Sequence, residues 1–376
     1  MYEVRQFPHV AMFWPLLAAA SASESAALYA RQLIGAASGI AIGEPVPEPE
    51  WTTAHTIKLD LKTVALRDFS IANEGPAALL CAPFALHGAT VADFAPGHSL
   101  VAALRDAGIK RLFLSDWRPA DADMRLLGIG DYLAALNVLV DEIGGQVDLI
   151  GLCQGGWMSM LYAARFPAKV RKLVLAGAPI DVAAAVSKLS ALVEATPAAV
   201  VDEFVKLGDG LVLGSMLKKI WGLKTLDPQS IHRMLGTRET LNSTKFAELA
   251  LRFEAWDAWT TDLPGLYFHE VVENLYRRNE LATGNFVALG QKIDLGGMKA
   301  PLFMLAARDD ELIAPAQLFA AERLVGTPSH DLRKALVPGG HLGLFMGRPI
   351  LEKHWPAIAD WLRVPVSASV GIERAG

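Results

Sequence analysis

The stretch DLIGLCQGGWMSM, residues 148–160, decides the fold. Its apolar start is typical of a buried strand, and the spacing G-x-C-x-G then leads directly into a helix-forming segment. Glycines at 151 and 155 let the strand and the helix approach closely, and the tight turn lifts the side chain of Cys153 above the end of the strand. The start of a helix also favours the thiolate form. We therefore predict Cys153 as a nucleophile, Gly151 and Gly155 as the glycines that shape the turn, and the backbone N–H of Gln154 as an oxyanion donor.

Two later segments supply the other groups that such a nucleophile needs. The segment PLFMLAARDDELIAP predicts a strand followed by Asp309 and Asp310, and RKALVPGGH predicts a strand followed by His341. A nucleophile, an acid and a histidine in this chain order, each after a strand, form the pattern of an α/β-hydrolase triad. Asp310 is the preferred acid because it stands where the turn has just left the sheet, and Asp309 is the alternative.

Strand and helix patterns alternate over most of the chain. Runs such as PAALLCAPF, RLFLSDW and KLVLAGAPID are mainly apolar on both faces, as strands are when both faces of a parallel sheet are covered. From 183 to 298 the spacing is helical with no convincing strand, and the alternation then returns. We therefore predict an α/β-hydrolase fold, a mostly parallel sheet with helices on both faces and an inserted helical cap. The predicted parts are an N-terminal extension (1–50), a first core segment (51–182), the cap (183–298) and a second core segment (299–376).

The composition is that of a large globular chain. Of 376 residues, 52% are hydrophobic and 20% are charged, and the net charge is −5, which argues against disorder and against a nucleic-acid partner. The two cysteines are too few for a disulfide framework and fit a reducing compartment. Cys81 is expected to be a small buried residue. The nine histidines show no metal-binding spacing, so we expect no metal.

The N-terminal region contains a short apolar patch, VAMFWPLLAAASASESA, that suggests a signal peptide. The charged region before it is poor and Pro15 interrupts it, so we expect an amphipathic helix there instead, followed by the linker GEPVPEPEW. No uninterrupted apolar run reaches the roughly 20 residues of a membrane span. The sequence therefore predicts a cytoplasmic protein.

Other residues have both a functional and a structural interpretation. The second oxyanion donor would come from the loop PFALHG, where Phe84 and Ala85 are equal candidates. Asp116 precedes the nucleophile in the chain and is expected to cap a helix or to serve as a structural partner. His354 is expected on the surface or in packing. Aromatic residues of the cap suit the exclusion of water, although ordinary packing explains them equally well: Trp221, Trp256, Trp259, Tyr267 and Phe268.

From about residue 76 to 363, the chain resembles polyhydroxyalkanoate (PHA) synthases, most of all the short catalytic subunit of the class III enzymes. The resemblance is carried by FAPGHSLVAALRDAG, LSDWRPADAD, GDYLAALNVLVDEI, VDLIGLCQGGWMSMLYAARFPAKVRKLVLAGAPID, FEAWDAWTTDLPG, LYRRNELATGNFVALGQKIDL, RDDELIAP and PGGHLGLFMG. The chain departs from the family at Glu311, where a histidine is usual, at Ala314, often a proline, and at Trp157, commonly a small residue. The start of the PFALH loop also differs.

The resemblance implies Cys153 as the acylated nucleophile, His341 as its base and Asp310 as the acid. It implies a substrate, (R)-3-hydroxyacyl-CoA, and no cofactor other than the coenzyme A that the substrate itself carries. Expected partners are the surface of a polyester granule and either a phasin-like second subunit or a second copy of the chain. A thiol suits this chemistry, because exchange between thioesters is nearly balanced in free energy.

Two other functions stay open. The departures near Asp310 and in the PFALH loop also fit a cysteine hydrolase on the same scaffold, either an intracellular PHA depolymerase or a thioesterase. A non-catalytic granule-associated or partner-binding protein is the third possibility, and the intact set of triad residues argues against it.

Overall fold

An eight-stranded sheet forms the centre of the computed structural model, which describes residues 46–220 and 226–366. The strands are β1 (Thr56–Asp60), β2 (Val64–Asp68), β3 (Ala77–Cys81), β4 (Arg111–Trp117), β5 (Val147–Leu152), β6 (Val170–Ala176), β7 (Leu302–Ala307) and β8 (Leu332–Val337). Their order across the sheet is β1-β2-β4-β3-β5-β6-β7-β8. The strand β2 runs antiparallel to both of its neighbours, and all other pairs are parallel.

The burial of each strand agrees with its position in the sheet. Every residue of β3 and β5 is buried, as the continuous apolar runs predict for strands covered on both faces. The edge strand β1 is mostly exposed and carries the alternating sequence TIKLD. The carboxyl ends of the parallel strands β3, β5, β6, β7 and β8 therefore meet at one edge of the sheet, where loops can bring distant residues together.

Helices cover both faces of the sheet and fill the long insertion after β6. In chain order they are α1 (Leu100–Asp106), α2 (Ile129–Ile143), α3 (Gln154–Arg165), α4 (Lys188–Ala195), α5 (Ala198–Leu207), α6 (Gly214–Ile220), α7 (Pro228–Leu235), α8 (Thr244–Ala258), α9 (Gly265–Glu270), α10 (Glu280–Thr283), α11 (Pro315–Phe319), α12 (Ala321–Leu324), α13 (Gly343–Met346) and α14 (Arg348–Arg363). A π-helix, Val271–Arg277, directly follows α9.

The insertion between β6 and β7 is mainly helical but contains two small antiparallel pairs that the sequence pattern does not predict. They join Leu211–Val212 to Leu263–Pro264 and Val287–Ala288 to Gln291–Lys292. Each strand has only two residues, which is too short to produce a recognisable alternation of polar and apolar residues. The segment PAQLFAAERLVG, residues 315–326, has the spacing of a single helix, but the structure divides it into α11 and α12.

Most of the predicted N-terminal extension, including its helix, lies outside the described residues. Residues 46–50 of the linker contain no helix or strand, and the chain enters the sheet at β1. Within the described ranges, no helix combines the length and the apolar character that crossing a membrane would require.

Candidate active site

The turn between β5 and α3 holds Cys153 in a backbone conformation that side chains rarely adopt. Its φ is 49° and its ψ is −117°, and such strain persists only where the surroundings enforce it. The backbone N–H of Cys153 donates to the carbonyl of Ala176 in β6 at 2.9 Å, and its own carbonyl accepts from Gly156 at 2.9 Å. The thiol is partly accessible and stands at the start of the helix, where the sequence analysis placed it.

Three glycines let this turn fit against the sheet. A Cβ at Gly155 would lie 2.2 Å from the carbonyl oxygen of Cys81, and a Cβ at Gly151 would lie 2.5 Å from the Cα of Gly156. Gly156, which the sequence analysis did not select, has an equally tight position, because a Cβ there would come within 2.3 Å of the Cβ of Ala178. The turn therefore needs glycine at 156 as well as at 151 and 155.

His341 and Asp310 meet directly above the carboxyl edge of the sheet. The distance between His341 Nδ1 and Asp310 Oδ2 is 2.7 Å, and both side chains are almost fully buried. The second carboxylate oxygen of Asp310 accepts from the N–H groups of Leu312 at 3.0 Å and Ile313 at 2.9 Å. The carboxylate is therefore fixed from both sides. Asp309 is directed elsewhere, since its Oδ2 accepts from the N–H of Gly339 at 3.3 Å.

The Cys153 thiol lies close enough to His341 for the two groups to interact electrostatically. Because Asp310 occupies Nδ1, the nitrogen available to the thiol is Nε2. Burial by itself would lower the pKa of His341, but the negative charges of Cys153 and Asp310 outweigh burial and hold that pKa well above its ordinary value. The structure thus brings the three residues together in an arrangement that stabilises an imidazolium at His341.

Two sets of backbone groups border the thiol as candidate oxyanion donors. The N–H of Gln154 belongs to the first turn of α3 and so has no acceptor within the helix. On the other side is the loop after β3, where the ring of Phe84 is buried against Tyr132 and Tyr267, at centroid distances of 4.6 and 5.0 Å. Ala85 follows it and is half-buried. The packing of Phe84 fixes the loop, while the choice between the two N–H groups stays open.

Tyr276, which the sequence analysis did not select, closes the site from the side of the insertion. It is buried in the π-helix, and its hydroxyl accepts from the Gln154 side chain at 2.9 Å. The Gln154 amide in turn accepts from the indole of Trp157 at 2.6 Å. Burial raises the pKa of Tyr276; the bond from Gln154 opposes this rise and the charge of nearby Cys153 adds to it. The only sequence signal was the motif LYRRNEL, which does not single out the tyrosine.

Other residues from the sequence analysis have structural roles. Asp116 lies in β4 and pairs with Arg67 at 2.6 Å, so it is a structural partner and not a helix cap. Cys81 is buried in β3, and burial raises its pKa to about 11. His354 lies on α14 and is half-buried.

The five aromatic residues that the sequence analysis assigned to the insertion have different surroundings. Trp256 lies against His87 in a tilted arrangement, with ring centroids 4.3 Å apart, and Tyr267 packs against Phe84 beside the site. Phe268 is buried and Trp259 is half-buried. Trp221 lies outside the described residues.

Within the part of the chain that the structure describes, no three His, Cys, Asp or Glu side chains are grouped so as to hold a metal ion.

Comparison with known proteins places this chain in a family. Residues 93–347 match the family model described as alpha/beta hydrolase fold. The chain is 29% identical over 259 residues to "Poly(3-hydroxyalkanoate) polymerase subunit PhaC" of Allochromatium vinosum, covering 67% of this chain and 71% of that protein. It is 30% identical over 284 residues to the protein of the same name from Synechocystis, covering 72% and 73%.

A solved structure agrees with the fold. The crystal structure of the Paleococcus ferrophilus monoacylglycerol lipase superposes with a TM-score of 0.53 at 16% identity, over 80% of this chain and 98% of that one. At this identity the likeness concerns the fold alone. The sheet order, the turn at Cys153 and the sequence relatives together lead to one conclusion: the chain belongs to the alpha/beta hydrolase fold family and, within it, to the family of the poly(3-hydroxyalkanoate) polymerase subunit PhaC.

Proposed function

We propose that this protein is a PHA synthase, an acyltransferase that polymerises (R)-3-hydroxyacyl-CoA through an acyl group held on Cys153. The observation that carries the proposal is the contact of the Cys153 thiol with a buried histidine that Asp310 holds at 2.7 Å. This geometry supports nucleophilic catalysis by a thiolate. The relatives named as polymerase subunits support the choice of substrate and of acyl transfer.

The first half of the reaction loads the enzyme. His341 accepts the thiol proton, and the Cys153 sulfur attacks the carbonyl carbon of the substrate thioester. The N–H of Gln154 and one from the loop at 84–85 stabilise the negative oxygen of the tetrahedral intermediate. When the intermediate collapses, the bond to the coenzyme sulfur breaks and that sulfur takes the proton from His341. Asp310 keeps His341 oriented and stabilises its positive charge throughout.

The second half forms the polymer bond. The hydroxyl of another hydroxyacyl unit attacks the acyl group on Cys153, and its proton passes to His341 and then to the departing thiolate. One ester bond forms and one thioester bond breaks, so the free thiol returns. Water must be excluded while the acyl group waits. The insertion suits that task because its buried residues Tyr276 and Tyr267 lie against the loops around the thiol.

Purified protein with (R)-3-hydroxybutyryl-CoA tests the proposal, with coenzyme release and product mass followed together. Coenzyme release with oligoester or insoluble polymer is the expected result. Replacement of the nucleophile, Cys153→Ala, should abolish release, while Cys81→Ala, the change at the buried thiol of β3, should retain it. Turnover by the Cys153→Ala protein would eliminate Cys153 as the nucleophile.

A cysteine hydrolase is the second candidate, and a local difference near the acid favours it. Glu311, which stands where the synthases usually have histidine, pairs with Lys188 of the insertion, and its carbonyl accepts from the Lys188 N–H at 2.8 Å. Release of coenzyme with free 3-hydroxybutyrate as the sole product would establish a thioesterase. Cleavage of polyester without any use of the thioester would establish a depolymerase.

The partners and the location follow from the same proposal. A synthase acts at the surface of the growing polyester granule in the cytoplasm, and a class III enzyme works with a phasin-like second subunit. A second copy of this chain is the other candidate partner. Sedimentation of the protein with and without polymer, and activity with and without an added phasin-like subunit, distinguish these arrangements.

A further inference from the structure

The loop after β3, which carries the candidate second oxyanion donor, is held at its start by the core. The carbonyl of Ala82 accepts from the indole N–H of Trp117 at 2.9 Å, and the N–H of Ala82 donates to the Ser115 hydroxyl at 3.2 Å. Both partners lie in β4. The direction of the N–H groups at Phe84 and Ala85 therefore depends on how the far end of the loop is held.

The far end of the loop is held by the insertion, at the point where the chain leaves α8. The carbonyl of Leu86 accepts from the N–H of Thr261 at 2.9 Å. Gly88 lies directly against the indole of Trp259, since a Cβ at Gly88 would come within 2.6 Å of that ring. The loop is thus bonded to the core at one end and to the insertion at the other.

His87 provides the side-chain connection between this loop and the insertion. Its ring packs against the indole of Trp256, and its side chain is only 18% exposed. Nδ1 lies 3.1 Å from the carbonyl oxygen of Trp259, and because a carbonyl can only accept, Nδ1 carries a proton and donates the hydrogen bond. Nε2 lies 3.5 Å from Oδ1 of Asp257. Both ring nitrogens of His87 therefore face groups of the insertion.

The carboxylate that faces His87 is itself fixed within the insertion. Oδ2 of Asp257 accepts from Nζ of Lys218 in α6 at 2.6 Å, and both side chains are mostly buried. Burial by itself would raise the pKa of Asp257, but the interactions with His87 and Lys218 outweigh burial and lower that pKa. A charged carboxylate and a backbone carbonyl together define where the ring of His87 lies.

We propose that His87 is a positioning residue, which holds the loop after β3 so that the N–H at 84 or 85 faces the oxygen of the reacting carbonyl. The inference rests on the proposed function only in that an acyl group passes through Cys153, and it holds equally for a thioesterase or a depolymerase. An oxyanion donor stabilises the transition state more than the bound substrate. His87 should therefore govern the rate of acylation and leave substrate binding nearly unchanged.

Acylation of Cys153 by p-nitrophenyl butyrate tests this role without coenzyme A or polymer. In a single turnover, release of nitrophenolate gives the rate constant, and mass spectrometry identifies the acylated residue. His87→Phe keeps an aromatic ring against Trp256 but removes both nitrogens. We expect its saturating rate constant to fall ~10- to 100-fold, less than the roughly 10²–10³-fold cost of losing an oxyanion donor altogether. The half-saturating ester concentration should change by less than about threefold.

Two conservative variants separate positioning from packing. The amide N–H of His87→Asn can stand where Nδ1 stands and donate to the Trp259 carbonyl, so this variant should recover most of the rate. His87→Gln can reach Asp257 but cannot place a donor at the Trp259 carbonyl, so it should stay slow. His232→Phe is the matched control, because it removes a similar bond, from Nε2 to the Glu239 carbonyl at 2.8 Å, inside the insertion. It should acylate as wild type does, and thermal melting would verify that all variants fold.

Affinity for 1,1,1-trifluoropentan-2-one gives the second readout. The Cys153 sulfur bonds to the carbonyl carbon of this ketone, the oxygen becomes negative, and the thiol proton passes to His341. In His87→Phe the affinity for the ketone should fall by the same factor as the rate of acylation.

Wild-type acylation and ketone affinity in a folded His87→Phe protein would overturn the positioning role. A slow His87→Asn protein, as slow as His87→Phe, would overturn it too, because packing alone would then explain the loss. Acylation that responds to His87 as expected, in a protein that makes no polymer from hydroxybutyryl-CoA, would retain the positioning role and reject the synthase.

Discussion

At the scale of the residue, the site depends on the charge state of His341. Burial opposes a charged imidazole, yet Cys153 and Asp310 raise its pKa well above the ordinary value of about 6.5. In the proposed reaction, the raised pKa favours the imidazolium that forms when His341 accepts the thiol proton, and the departing coenzyme sulfur then receives that proton.

Neutralising the acid should remove much of this advantage. In Asp310→Asn the charge that helps to raise the pKa of His341 is lost, and the amide can also favour the wrong tautomer of the imidazole. We expect kcat to fall about 10⁴-fold, the order found when a triad acid is neutralised. Asp309→Asn is the matched control, because the neighbouring carboxylate accepts from the N–H of Gly339 and not from His341, and it should stay within a factor of two or three of wild type. Equal activity of the two variants would contradict the role of Asp310.

The variant Asp310→Asn also tests how the stability of the fold depends on pH. Because the pKa of His341 is higher in the folded state, its protonation stabilises the fold. This contribution is complete below the unfolded-state pKa and is lost as the pH rises through the higher folded-state pKa. The difference in unfolding free energy between wild type and Asp310→Asn should therefore be larger near pH ~6 than above the folded-state pKa of His341. Urea denaturation across that pH range measures it. A difference that grows with pH would show that His341 is not charged in the fold.

Sequence reasoning selected Asp310 but missed Tyr276, and the reason is the range of the contacts. The preference for Asp310 over Asp309 depended on local geometry, namely where a turn leaves its strand, and the structure places Asp310 against His341. Tyr276 contacts Gln154 across 122 positions of the chain. A π-helix sets its direction, and no periodic pattern predicts such a contact.

At the scale of the element, the approach of α3 to β3 sets the position of the thiol. The alternation of apolar and amphipathic runs predicted each main strand and helix of this region, because burial on both faces leaves a strong pattern. The pattern did not reveal how close the elements lie. The short distance between α3 and β3 is evident at Gly155, where a Cβ would collide with the carbonyls of Cys81 and Ala82.

Gly155→Ala should therefore destabilise the protein and displace Cys153. The added methyl would lie 2.2 Å from a backbone oxygen, which cannot rotate away as a side chain can, so α3 must move from the sheet. We expect a loss of about 2–3 kcal/mol in unfolding free energy, at the upper end for overpacking. Gly297→Ala is the control, because its new Cβ would meet nothing within 4 Å. Identical urea midpoints for the two variants would show that the turn can accommodate a Cβ at position 155.

At the scale of the whole molecule, the insertion and the core share one site. The core supplies Cys153, Asp310 and His341, whereas the insertion supplies Tyr276, whose hydroxyl is bonded to the side chain of Gln154 in the core. The sequence predicted the insertion from its helical spacing but not this connection. This bond joins the insertion to the residue that follows Cys153, whose N–H is the proposed oxyanion donor.

Tyr276→Phe should change what the enzyme makes as well as how fast it works. Loss of the hydroxyl leaves the buried Gln154 amide without its acceptor, at a cost of about 1–3 kcal/mol, so the insertion closes less firmly and water reaches the acyl group. We expect turnover to fall roughly 10-fold and the share of free 3-hydroxybutyrate in the product to rise. Tyr162→Phe is the matched control, since that hydroxyl donates to Asn137 at 3.1 Å on the outer helices. If both variants lose similar stability and keep the wild-type ratio of polymer to free acid, Tyr276 contributes to packing but does not exclude water from the acyl group.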